Sequence, residues 1–263
     1  MAVITADELR RMLADRTPVT VLDVRWQLAH PDGRDDYAAG HVPGAVYVSL
    51  EDELSDHGVQ GRGRHPLPSG ASVQEAARRW GVRTGVPVVV YDDWNRAGSA
   101  RAWWVLTAAG IPDVRILDGG LGAWADELEK GWVTAEPGDV VVEHENLYRG
   151  ALPTLTADEA AALGPRLLDA RAPERFRGEV EPVDPVAGHV PGAVNLPSTS
   201  LLTPDGTFAR VPDVDAAGAY CGSGVTAAVV VAAFAAAGRP LALFPGSWSQ
   251  WCSEADRPVA TGE

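Results

Sequence analysis

Apolar residues along this chain fall in short runs that close on aspartate or glycine, separated by stretches with helical spacing. VTVLDV (19–24), PVVVYDD (87–93), VRILDGG (114–120), PRLLDA (165–170) and PLALFPG (240–246) are short apolar runs of the length of buried strands. Between them, TADELRRML (5–13) and TADEAAAL (156–163) open with Thr and carry Glu three residues later, the pattern of a capping box at a helix start. RAGSARAWWVLTAAG (96–110) has helical apolar spacing and ends on Gly110. The Ala- and Val-rich run from Thr226 to Ala237 reads as a buried helix with Gly238 as its stop. Strands alternating with helices predict an α/β fold with largely parallel sheets flanked by helices.

The pattern is written twice. TADE occurs at Thr5 and at Thr156, VLDVR at Val21 is answered by LLDAR at Leu167, and AGHVPGAV at Ala39 recurs unchanged at Ala187. VVYDD around Asp92 corresponds to GAYCG around Cys221, and DGGLGAW ending at Trp124 to PGSWSQW ending at Trp251. The order is the same in both halves, so the chain is a tandem duplication of one α/β unit and not a solenoid of many short ones. The expected division is a first domain over 1–134, a Pro-, Gly- and acid-containing linker over 135–153, and a second domain over 154–263. The interval from His41 to Asp92 is much longer than that from His189 to Cys221. Its excess includes the polar, Gly-rich stretch EDELSDHGVQGRGRHPLPSG (51–70), a single-copy loop of the kind that carries function.

Composition narrows the class. With 46% hydrophobic and 22% charged residues the chain is globular, and a net charge of −14 argues against nucleic acid as a partner. The same charge means that a small anionic substrate needs a local positive site. Two cysteines build neither a disulfide framework nor a metal cluster, as in a reducing compartment. The opening MAVITADELRRML lacks an apolar signal core, and the run Ala227–Ala237 is too short to span a bilayer. A cytoplasmic chain without membrane partner, metal or cofactor is expected.

The candidate chemistry centres on Cys221. It follows a strand, precedes a buried helix, and opens the loop Cys-Gly-Ser-Gly-Val-Thr. Ligands of open parallel sheets bind at the carboxyl ends of strands. A helix start favours a thiolate, or the anion it attacks, and glycines allow close backbone approach. Asp92 occupies the same strand end in the first copy. The histidines, His41 and His189, recur in both copies, including the one without cysteine, and so read as structural turn residues. The same logic covers Asp23, Arg25, Asp169 and Arg171. Cys252, beside the second Trp motif, reads as packing, with a resolving thiol as the alternative.

Two units carrying GHVPGA, an LD-R pair, a terminal Trp motif and a CGSGVTA loop resemble the tandem-domain rhodanese-type sulfurtransferases, from Thr5 to about Trp251. The resemblance implies that the second domain is catalytic and the first a degenerate copy with Asp92 in place of cysteine. It implies a Cys221 persulfide made from a sulfur donor and discharged to a thiol or cyanide, with the backbone of Gly222, Ser223, Gly224, Val225 and Thr226 ringing the sulfur. A small thiol or a thioredoxin-like protein is the implied acceptor. The neutral loop is similar to the 3-mercaptopyruvate branch, which places that donor ahead of thiosulfate. Arg175 matches a carboxylate-binding arginine of that branch; a second, expected after Glu-Pro, is Val183 here. By resemblance Ser223, His65 and Glu51 take the places of a Ser-His-Asp arrangement. A thiosulfate-preferring rhodanese and a non-catalytic persulfide carrier are the alternatives. A Cys-x5-Arg phosphatase is not, because the sixth residue after Cys221 is Ala227 and the next arginine is Arg239.

Overall fold

A computed structural model describes residues 2–263 as two compact units, each built on its own parallel sheet. The first sheet contains β1 (Val3–Ile4), β2 (Thr20–Asp23), β3 (Val46–Tyr47), β4 (Val88–Tyr91) and β5 (Val114–Leu117), in the order β1-β5-β4-β2-β3. The second contains β6 (Leu167–Asp169), β7 (Val194–Asn195), β8 (Gly218–Tyr220) and β9 (Ala242–Leu243), in the order β7-β6-β8-β9. Matching β2 to β6, β3 to β7, β4 to β8 and β5 to β9 makes the two orders identical. The edge strand β1 has only a remnant in the second unit, a parallel bridge between Thr154 and Leu243. All the paired strands are parallel and short, and the central ones are buried, which accounts for apolar runs without alternation.

Both expected capping boxes are present: Thr5 and Thr156 accept the amide N–H of Glu8 and Glu159, whose carboxylates reach back to the cap amides. The helix Ala97–Ala108 is buried almost all round, and its Gly98 lies so close to β2 that an added Cβ would fall 1.8 Å from the Val24 carbonyl oxygen. The helix Thr226–Ala236 ends where expected, with Gly238 at φ +73°. Thr226 is its first residue, and the cap position is Val225, whose side chain makes no capping hydrogen bond.

The recurring residues are a shared internal frame. Asp23 and Arg25 form a buried ion pair, with Arg25 Nη2 also donating to the Gly40 carbonyl. Asp169 and Arg171 repeat it, with Arg171 Nη2 on the Gly188 carbonyl. His41 Nδ1 lies 2.9 Å from the Tyr37 carbonyl oxygen and its ring stacks on Tyr37; His189 does the same with Phe176 at 2.8 Å. The structural reading of these residues fits that geometry.

The compact units do not coincide with the division of the sequence at 134 and 154. The first comprises Met1–Ser55, Pro68–Leu152 and Leu202–Phe208, and the second Asp56–Leu67, Pro153–Leu201 and Ala209–Glu263. Residues 135–152 are therefore not a free connector. Val140 and Leu147 are buried in the first unit, and Gly138 packs its backbone against Val82. The single-copy loop leaves the first unit at Ser55 and contributes Asp56–Leu67 to the second.

Candidate active site

β8 ends at Tyr220, and the chain turns at Cys221 before entering the helix Thr226–Ala236. Cys221 is buried at 1% exposure, and its Sγ accepts the Gly224 N–H at 3.1 Å. That bond needs Gly224 at φ +81°, with the Pro245 carbonyl oxygen 2.3 Å from where a Cβ would stand. The PGSWSQW segment fixes the other side. Ser247 Oγ accepts the Cys221 N–H at 3.1 Å and donates to the Phe244 carbonyl. Trp248 and Ser249 donate their N–H groups to the carbonyls of Cys221 and Gly222. Ser247 sits at φ +53°, a left-handed backbone that non-glycine residues seldom adopt and that functional turns tolerate.

The segment Gly63–His65 is laid on this loop within the same unit. Arg64 N–H donates to Ser249 Oγ at 3.0 Å, and His65 Nδ1 lies 2.7 Å from Ser223 Oγ, both residues being buried. Arg175 comes from the short helix Pro173–Phe176. Its Nε and Nη2 grip the Glu181 carboxylate at 3.2 and 2.6 Å, and Glu181 also accepts the amides of Val183 and Asp184. Burial by itself would raise the Glu181 carboxyl, but the Arg175 bond and the two amides together hold it below the ordinary carboxylate range. Asp184 pairs with Arg64 through Oδ1 and lies 3.7 Å from Arg175 through Oδ2. Burial raises its carboxyl.

Cys221, Gly222, Ser223, Gly224, Val225, Thr226, Arg175 and His65 thus share one compact unit. Glu51 belongs to the other, in the helix Leu50–Glu53, where its Oε1 accepts the Trp26 indole N–H at 2.6 Å. Val183 is 42% exposed, and no cation stands at that position. Sequence reasoning missed Arg64 and Ser247. Arg64 is far from Arg175 in sequence, and its only signal was its place beside His65 in the single-copy loop.

The first unit shows what the duplication did to the other copy. Asp92, at the end of β4, accepts N–H groups from Trp94, Arg96 and Ser99 and the Ser99 hydroxyl, and it pairs with the buried Arg96 at 3.0 Å. The loop amides here are spent on a fixed carboxylate.

The model of the rhodanese-like domain matches this chain twice, over residues 5–127 and 153–254. The chain belongs to the rhodanese family. A Mycobacterium tuberculosis protein named as a thiosulfate sulfurtransferase is 60% identical, covering 99% of this chain and 97% of its own. A Pseudomonas aeruginosa protein named as a 3-mercaptopyruvate sulfurtransferase is 42% identical over 99% and 98% of the two chains. The crystal structure of SseA from Escherichia coli, described as a 3-mercaptopyruvate enzyme of rhodanese fold, superposes with a TM-score of 0.79 at 31% identity, covering 94% of this chain and 98% of that one. The chain is a sulfurtransferase of two rhodanese-like domains, and the resemblance read from its motifs holds. Among the described residues no group of His, Cys, Asp and Glu could hold a metal ion, and no helix is long and apolar enough to cross a membrane.

Proposed function

We propose that this rhodanese takes sulfur from 3-mercaptopyruvate in preference to thiosulfate, carries it on Cys221, and passes it to a thiol or to cyanide. In the first half-reaction the Cys221 thiolate attacks the donor's thiol sulfur. The S–S bond forms as the donor's C–S bond breaks, and the electron pair stays on the departing carbon as the enolate of pyruvate. One proton then converts the enolate to pyruvate. In the second half-reaction the acceptor attacks the outer sulfur and the Cys221 thiolate leaves, so the kinetics are ping-pong.

The observation that carries the donor preference is the hydrogen bond between Ser223 Oγ and His65 Nδ1, one residue beyond Gly222. An enolate leaving group needs a hydrogen-bond donor at its oxygen and a proton at its carbon, and a hydroxyl backed by an imidazole supplies both kinds of group. Thiosulfate leaves as sulfite and needs neither. Glu51 is the acidic member assigned to this pair by resemblance. The Gly224 N–H on Sγ supports Cys221 as the sulfur carrier, with Gly222, Val225 and Thr226 completing the loop. Both cysteines are free thiols, which supports a cytoplasmic setting. A small thiol or a thioredoxin-like protein suits the acceptor step, and nothing in the acidic surface charge favours nucleic acid. The test is kcat/KM for the two donors side by side with cyanide as acceptor. The reading requires the mercaptopyruvate value to be the higher; a higher thiosulfate value overturns it.

A further inference from the structure

Position 183 carries an exposed valine and no cation, yet a second guanidinium stands beside that of Arg175, brought by another segment. A Cβ built on Gly222 would lie 3.1 Å from Arg64 Nη2, 3.5 Å from Arg175 Nη2 and 3.6 Å from Arg175 Nη1. Two cationic groups, from segments more than a hundred residues apart, therefore flank the residue next to the sulfur carrier.

Arg64 is held there through its backbone, both neighbouring residues and its guanidinium. Its N–H is bonded to Ser249 Oγ, and the next residue, His65, is bonded to Ser223. The preceding Gly63, at φ +82°, would place a Cβ 2.4 Å from the Gly246 carbonyl oxygen, so only glycine brings the segment this close. Its guanidinium Nη1 is paired with Asp184, whose side chain is only 4% exposed. The other carboxylate oxygen, Asp184 Oδ2, is buried and accepts no hydrogen bond among the described residues. With Nη1 on Asp184, Arg64 turns Nη2 toward Gly222. With Nε and Nη2 on Glu181, Arg175 has Nη1 left on the same side.

We propose that Arg64 is the second cation of the donor site, binding the donor's carboxylate with Arg175 beside Gly222, and that Asp184 is the counter-ion that positions it. The assignment rests on the donor reading above and deepens it. Arg64 and Arg175 are already matched in charge by Asp184 and Glu181, so the cluster is neutral before a donor arrives. A monocarboxylate adds one negative charge to that cluster, and a dianion adds two against two carboxylates that stay in place. The planar forks fit a carboxylate, and adjacent Cα atoms about 3.8 Å apart put Cys221 within reach of a thiol two carbons from that carboxylate.

Arg64→Gln tests this. KM for 3-mercaptopyruvate rises roughly ten- to a hundredfold, the loss of one hydrogen bond to a charged group, while kcat stays within about threefold. Inhibition by pyruvate, which carries the carboxylate but no sulfur, weakens by a similar factor, and Arg64→Lys recovers part of both losses. Unchanged KM and unchanged pyruvate inhibition in Arg64→Gln overturn the assignment, as does a fall in kcat with KM unmoved. Pyruvate inhibition is measurable with either donor, so the two readings fail separately. A wild-type preference for thiosulfate removes the donor reading. Unaltered pyruvate inhibition in the variant removes the role of Arg64 alone.

Discussion

Gly224→Ala removes the geometry around the sulfur at its source. The residue stands at φ +81°, where an L side chain costs about 1–2 kcal/mol, and its new Cβ would lie 2.3 Å from the Pro245 carbonyl oxygen. That obstacle is backbone, on the segment that also binds Cys221 through Ser247, so relief requires the loop to move. Movement breaks the Gly224 N–H bond to Sγ, a contact to a charged group when the sulfur is a thiolate, worth about 1.5–3 kcal/mol. The expected outcome is a loss of about 2–4 kcal/mol in urea-denaturation stability and a fall in kcat/KM of roughly ten- to a hundredfold. Gly222→Ala is the contrast. Its φ is not positive, and its nearest obstacle is the end of the Arg64 side chain at 3.1 Å, which can yield. That variant keeps stability within about 1 kcal/mol and raises KM for the donor instead. Gly224→Ala with wild-type stability and kcat would refute the reasoning, because the loop would then not depend on that backbone conformation.

Three further outcomes follow from the same geometry. Asp92→Ala leaves the 2%-exposed Arg96 guanidinium without its carboxylate and should cost about 3–5 kcal/mol of stability in chemical denaturation. Glu181 has its carboxyl pulled below its usual 4.5, so its stabilisation is complete above that value and is lost as pH falls through the lowered one. Wild type should therefore exceed Glu181→Gln in thermal stability at neutral pH and converge with it in acid below 4.5, measured as Tm against pH. Cys252→Ser should retain most of the turnover, since its thiol packs against the second core and burial raises its pKa, whereas Cys221→Ser should retain none.

What was legible in the sequence was what repeats or is local. The two AGHVPGAV segments, the paired capping boxes and the apolar runs ending at Asp23 and Asp169 located matching sheets, because parallel strands and helix starts are set by neighbours in sequence. Cys221 was legible because glycines frame it at a strand end, and His65 through the family resemblance, with which its place in the single-copy loop agrees. Arg64 was not: its pairing with Asp184 and its approach to Gly222 depend on tertiary packing across more than a hundred residues. Ser247 was hidden for a related reason, since its left-handed backbone and its bond to the Cys221 amide are properties of the folded turn. Composition alone did not show how the expected linker packs. Pro, Gly and acidic residues in 135–152 also build a strap whose Val140 and Leu147 are buried.

The most direct test of the account is to give the enzyme one equivalent of 3-mercaptopyruvate with no acceptor and to map the product by mass spectrometry. One added sulfur atom is expected on the peptide containing Cys221, with an equal amount of pyruvate. Pyruvate release without added sulfur, or sulfur found on Cys252 instead, would contradict it.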